Sequence, residues 1–166
     1  FYSVRFTNES TLTVNLSKEY LSKIPISRKV KVENKILSDF ATKMIEKSNE
    51  LSLFSTKFHS YLTSTYSRID INTKMEYWYE MEFGEFISEL KKAIKKANRE
   101  MVKEGLEPVK ELTKKDEFEW MELFEENKKK AMELQQQIDE TDRKIDQMVY
   151  SLYDLTEEEI KIVENS

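Results

Sequence analysis

The sequence predicts a mainly α fold: long antiparallel coiled-coil-like helices in a helical bundle, with a small extended or β element at the N-terminus. Three observations carry this. Apolar or small residues at Ala131, Leu134, Ile138, Thr141, Ile145, Met148, Leu152 and Leu155 step alternately by three and four, the narrow seam of a helix lying along another helix. Leu37, Phe40, Met44, Leu51, Phe54, Phe58 and Tyr61 repeat the pattern, broken only at Lys47, and make the natural partner. Two glycines and two prolines in 166 residues leave few sites for tight turns, and 36% charged against 39% hydrophobic residues suits exposed helices with thin apolar stripes.

Taken in order, Tyr2, Val4 and Phe6 alternate, as do Leu12, Val14 and Leu16, with Asn8-Glu9-Ser10 able to turn between them; this reads as a hairpin. Ser17 caps a short helix with Leu16 stapled to Leu21, which ends before Ile24-Pro25 because a residue preceding proline avoids helical geometry. Lys23 to Lys31 is expected to be an extended connector. A long helix follows over about 33–66, roughly 50 Å at 1.5 Å per residue. Between Ser67 and Phe83 the alternation of Tyr77, Tyr79, Met81 and Phe83 predicts an extended segment packed on the bundle. A third helix over about 84–103 places Phe86, Ile87, Leu90, Ile94, Ala97 and Met101 on one face and closes a three-helix arrangement. Gly105 and Pro108 end it. Thr113 to Asp116 offers a cap for the spine helix, about 114–153 and roughly 60 Å long, whose face Val149 and Tyr153 widen near its end. The spine breaks at Asp154 to Thr156, where Thr156 with Glu159 forms a capping box and Leu155 with Ile160 a hydrophobic staple for a last helix over about 157–164. The expected division is 1–32 as connector and end of a preceding domain, and 33–166 as the bundle.

Net charge is −5, which argues against a surface that is uniformly a nucleic-acid glove. Local charge differs: Lys18, Lys23, Arg28, Lys29, Lys31 and Lys35 face only Glu19 and Glu33 over residues 18–35, while 154–164 holds five acids and one lysine. No run approaches the roughly 18 apolar residues of a membrane span, and no charged leader marks secretion, so a soluble, cytoplasmic chain is expected. The start at Phe1, in mid-pattern and without methionine, reads as a piece of a longer chain.

Several chemistries are disfavoured. Gly84 and Gly105 stand too far apart for a glycine-rich cofactor loop. A lone His59 with no cysteine cannot build the usual zinc sites, and a packing or surface role is expected for it. Glu33-Asn34-Lys35, Glu89-Leu90-Lys91, Glu126-Asn127-Lys128 and Glu159-Ile160-Lys161 fit a nuclease triplet, but each falls in an expected helix where such chemistry needs a strand. No catalytic, cofactor-binding or metal-ligating residue is assigned. Two positive features remain. Lys92, Lys96, Arg99 and Lys103 line one stripe of the third helix opposite its apolar face, and Lys23, Arg28, Lys29 and Lys31 lie on the connector; both sets are candidates for phosphate contact without base discrimination, against the plainer reading of solvated faces. Tyr77, Trp78 and Tyr79 are candidates for stacking on unpaired bases, with core packing as the competing reading.

Beyond these residues, Asp142-Arg143-Lys144-Ile145-Asp146-Gln147-Met148-Val149-Tyr150-Ser151-Leu152-Tyr153-Asp154-Leu155-Thr156-Glu157-Glu158-Glu159-Ile160 resembles the closing signature of fused (type IIG-like) restriction–modification enzymes with an N6-adenine DNA methyltransferase, with Asp154 where glycine is usual. Trp78 to Leu90 resembles the segment before that ending. Leu21-Ser22-Lys23-Ile24-Pro25-Ile26 resembles the element that leaves the DNA-reading domain for a helical spacer. The resemblance implies a non-catalytic specificity and scaffold fragment positioning a target-recognition domain on duplex DNA. It also implies partnership with the methyltransferase portion of the parent chain, and S-adenosylmethionine as cofactor of that parent alone. The family's asparagine–proline–proline–aromatic motif is impossible with Pro25 and Pro108 as the only prolines. Phe1 to Phe6 becomes, under the resemblance, the tail of an upstream helix; hairpin and helix tail both stand. The rival class is a coiled-coil interaction or oligomerisation module unrelated to DNA.

Overall fold

The computed structural model describes Ser27 and residues 29–165, with backbone alone at residues 30–32. The expected hairpin of residues 1–16, the helix after Ser17, and Lys23 and Arg28 lie outside the described residues. Among those described there are five α-helices and no strand: α1 Val30–Thr65, α2 Thr73–Glu76, α3 Phe83–Lys103, α4 Lys114–Leu152 and α5 Glu157–Glu164, with a 3-10 turn at Trp78–Glu80 between α2 and α3. The mainly α reading holds. The extended connector is shortened, because α1 begins at Val30 and takes Lys31 into its first turn.

The chain groups into two compact units, one of residues 39–146 and one combining the described residues up to 38 with residues 147–165. In the larger unit, α1 and α4 run antiparallel. Tyr66 meets Trp120 through its ring and hydroxyl, while Leu51 shares a groove with Ile138, so one number rises as the other falls. On α4 every expected seam position is buried or half-buried, with Ala131 fully covered. The one polar seam residue of this unit, Thr141, satisfies its hydroxyl on the Gln137 carbonyl at 2.7 Å, as a buried hydroxyl must.

The core is an aromatic cluster that welds three helices and the 3-10 turn. Trp78 is fully buried, stacked on Phe58 with ring centroids 3.7 Å apart and edge-on to Phe124 at 5.9 Å. Its indole N–H donates to Ser55 Oγ at 3.1 Å. Phe86 of α3 stacks on Phe124 at 4.7 Å. Each such pair adds about 0.5–1.5 kcal/mol beyond its burial.

Two expectations are corrected here. The Ser67–Phe83 segment is helical rather than extended: Asn72 accepts the Met75 amide and starts α2, and the 3-10 turn follows. That puts the consecutive residues Trp78 and Tyr79 both in the core and leaves Tyr77 exposed, which alternation would forbid. At the end of α1 the seam drifts from Tyr61, 52% exposed, to Leu62 and Tyr66, both buried. A straight helix turns 3.6 residues per turn and slides off a strict 3.5 repeat.

The loop after α3 ends the helix with a Schellman motif: Gly105 lies at φ 75°, and the Leu106 amide donates to the Met101 carbonyl. Asn98 then pins Val109 by two 2.8 Å bonds, one to its carbonyl and one from its amide. Thr113 caps α4, its hydroxyl accepting from the Asp116 amide and its own amide donating to the Asp116 carboxylate.

In the smaller unit, α4 ends in a second Schellman motif. The Leu155 amide donates to the Tyr150 carbonyl and the Asp154 amide to Ser151, with Asp154 itself at φ 51°. The break is therefore sharp although aspartate replaces glycine, because a short polar side chain tolerates the left-handed region better than most. Lys29 Nζ holds both Asp154 carboxylate oxygens at 2.6 Å. Thr156 and Glu159 form the capping box that opens α5. Tyr153 is exposed rather than widening the seam, while Leu152 is buried.

Candidate nucleic-acid interface

The basic stripe of α3 exists because its apolar positions all turn one way. Phe86, Ile87, Leu90, Ala93, Ile94, Ala97 and Met101 are buried, which leaves Lys92, Lys96, Arg99 and Lys103 on the opposite, exposed face. The first two are not free cations. Lys92 Nζ bonds Glu89 Oε1 at 2.8 Å, and Lys96 Nζ bonds Asp70 Oδ2 at 2.7 Å. Among the described residues, Arg99 and Lys103 make no ion pair, while nearby Arg68 is engaged by Glu104.

Glu89 is the chemically distinctive group on this helix. It is a nearly buried carboxylate that accepts from Lys92 and from the Asn72 side-chain amide at 3.0 Å. The Lys92 bond, then the Asn72 bond, hold its carboxyl below the ordinary 4.5. Because Asn72 also caps α2 through its oxygen, one amide ties the carboxylate to the start of the buried Met75–Met81 segment. Lys91, its neighbour in the nuclease-like triplet, turns instead to Glu117 of α4 at 2.7 Å. The triplet is thus split between two faces, as a helix requires. The other three triplets also lie on helices.

On the connector, Lys29 is described and is committed to Asp154; Lys31 contributes backbone to α1, its side chain lying outside the description, as Lys23 and Arg28 do wholly. The structure does not bring the connector lysine and the α3 stripe into one described site: Lys29 belongs to the smaller unit and the stripe to the larger. The aromatic trio is divided as well. Trp78 and Tyr79 are buried in the core, so stacking on bases is closed to them, and Tyr77 alone is exposed.

His59 has a packing role. Its Nε2 lies 2.9 Å from the Met75 carbonyl, which can only accept, so Nε2 carries the proton and fastens α1 to α2. Sequence reasoning missed Lys128, whose ammonium donates to the Met81 carbonyl at 2.7 Å and to Glu82 at 3.1 Å and lies over the Phe124 ring. It also missed Trp120 and Phe124, which are buried; running the three-four alternation back from Ala131 through Asn127 reaches both. Among the described residues no cluster of histidines and carboxylates is placed to hold a metal, and no helix is long and apolar enough to cross a membrane.

No curated protein and no solved structure matches the sequence. Residues 30–149 match a family described as a domain of unknown function, DUF8810, a span that opens at the first residue of α1 and closes within the last turn of α4. Since that span takes in more than two thirds of its length, the chain belongs to the DUF8810 family.

Proposed function

We propose that this chain is a non-catalytic helical scaffold from the specificity region of a restriction–modification DNA methyltransferase. It would hold a target-recognition portion at a set distance from the methyltransferase portion of a parent chain. The observation that carries the reading is the pairing of α1 with α4 within one polypeptide, from Tyr66 against Trp120 to Leu51 beside Ile138. Two helices locked by an aromatic core resist bending better than either alone, which is what a spacer needs. The sequence likeness of Leu21 to Ile26, Trp78 to Leu90 and Asp142 to Ile160 supports the same reading. In it, S-adenosylmethionine is bound by the parent outside these residues, the parent works in the cytoplasm, and duplex DNA is met through phosphates alone.

The basic connector and the Arg99–Lys103 end of the α3 stripe carry that contact, because Lys92 and Lys96 are already neutralised by Glu89 and Asp70. A gel shift over a salt series tests it. Weak binding at low salt is expected. Changing Arg28, Lys29 and Lys31 to glutamate should abolish it, since each lost phosphate contact lowers the salt slope by about 0.9. Absence of binding at every salt concentration would remove DNA from the function of these residues. The rival interaction module is separated by light scattering: a tight dimer dissociated by Ile138→Asp favours it, whereas a monomer unfolded by the same change favours the intramolecular strut.

A further inference from the structure

Where the end of α1 meets the start of α4, a cavity of about 220 Å³ is lined by Tyr61, Tyr66 and Trp120 together with Asp116 and Glu119. It lies wholly within the larger unit. Three rings form its aromatic wall, with Trp120 between the others: Tyr61 is 5.7 Å away and tilted by 57°, Tyr66 6.2 Å away and tilted by 32°. The Trp120 indole N–H is spent on the Tyr66 hydroxyl at 2.9 Å, which fixes both rings. Tyr61 is half exposed and leaves the mouth accessible.

The carboxylates are set by the α4 helix itself, Asp116 one turn before Trp120 and Glu119 beside it. Asp116 is held in place and ionised by Thr113, whose backbone amide and then hydroxyl draw its carboxyl below the usual range. Burial, with the Asp116 charge adding to it, keeps the Tyr66 phenol above its ordinary 10.0 and hence neutral. No lysine lines the cavity. Lys110 approaches Asp116 only to 4.0 Å and Lys115 approaches Glu119 to 3.8 Å, both from largely exposed positions.

Electron-rich ring faces and two anions in one hollow have a shared preference. Anions are repelled, neutral apolar groups leave the carboxylates unused, and small inorganic cations keep the water that the rings cannot replace. A soft, weakly hydrated organic cation satisfies both walls. The volume sits below the roughly 300–1,000 Å³ of a drug-sized pocket, enough for a headgroup and not for a large ligand. We propose that this cavity is a binding site for an alkylated ammonium group, carried either by a free small molecule or by a methylated lysine side chain of a partner protein. The proposal does not depend on DNA binding.

The test uses the full chain labelled with nitrogen-15. Only two tryptophans are present, so two indole resonances report, and Trp120→Phe identifies which belongs to Trp120. Choline is expected to move that resonance saturably, at constant ionic strength, while 3,3-dimethylbutan-1-ol, its uncharged isostere, does not. Tyr61→Ala should remove the response, and Glu119→Gln should weaken it by about two- to five-fold; both residues are exposed enough that the fold tolerates the change. A trimethyllysine peptide that saturates the shift at much lower concentration than choline assigns the cation to a protein, and choline acting as well as the peptide assigns it to a small molecule. The proposal is overturned if neither choline nor the peptide gives a saturable shift, if the alcohol acts equally, or if the two variants respond like the unaltered chain.

Discussion

Glu89 shows how much a single side chain on an ordinary amphipathic helix can come to carry. A carboxylate at the edge of an apolar face is costly to bury, and here the cost is offset by two donors, Lys92 and Asn72. Its folded pKa is depressed, so the unfolded chain binds the proton at higher pH than the folded one. Stability from this group is therefore complete above the ordinary 4.5 and is lost as pH falls through the folded value. Asp116, Glu117 and Glu159 shift in the same direction through their own hydrogen bonds and add to the same acid limb. We expect Glu89→Gln to lower the melting temperature near pH 7, with the gap from the unaltered chain closing below about pH 4. Melting curves by circular dichroism across that range check it, and a gap that stays constant with pH would show the carboxylate to be uninvolved.

At the scale of the element, the helix ends are specified by local chemistry and differ in what they support. Thr113 and Thr156 cap in the same way, through a hydroxyl and an acid three residues on. The helices behind them do not resemble each other: α4 carries Trp120, Phe124 and Ala131 into the core, whereas α5 buries no residue. Losing either cap costs about 1 kcal/mol of helix stability. Thr113→Ala is expected to lower global melting by about 2–4 °C, because the first turn of α4 holds Asp116 and Trp120. Thr156→Ala should leave global melting nearly unchanged and instead speed amide exchange in residues 157–164 alone. Hydrogen exchange resolved by residue separates the two outcomes; equal global losses would mean that α5 is coupled to the core more tightly than its exposure indicates.

For the molecule as a whole, stability of the larger unit is concentrated in five rings: Phe58, Trp78, Phe86, Trp120 and Phe124. Phe124 touches rings from the 3-10 turn and α3 and is fully buried. Phe124→Ala is expected to cost about 3–5 kcal/mol, from lost burial and the cavity left among aromatic walls. Because the cluster joins α1, α3 and α4, tryptophan fluorescence and far-ultraviolet circular dichroism should report the loss at one shared denaturant midpoint. Separate midpoints would mean that the long helices outlive the cluster and are stabilised by their seam alone.

Helix content and helix ends were legible from the chain itself. Seam spacing, scarce glycine and proline, and the Thr113, Gly105 and Thr156 signals are properties of residues within one or two turns of each other, and backbone geometry converts them directly into periodicity and caps. The same local signals placed the buried faces of α3 and of the later part of α4. What remained hidden depended on partners distant in sequence. Nothing near Trp78 says that Phe58 and Phe124 will enclose it, so the alternation of Tyr77, Tyr79 and Met81 pointed to an extended strand-like path. Lys92 and Lys96 read as free cations until folding brought Glu89 inward and Asp70 alongside. The cavity beside Trp120 likewise requires Tyr61 and Asp116 to meet across 55 intervening positions of chain. Short-range chemistry settles what each segment is, whereas which side chains become neighbours depends on how the rods pack, and only the packed structure decides that.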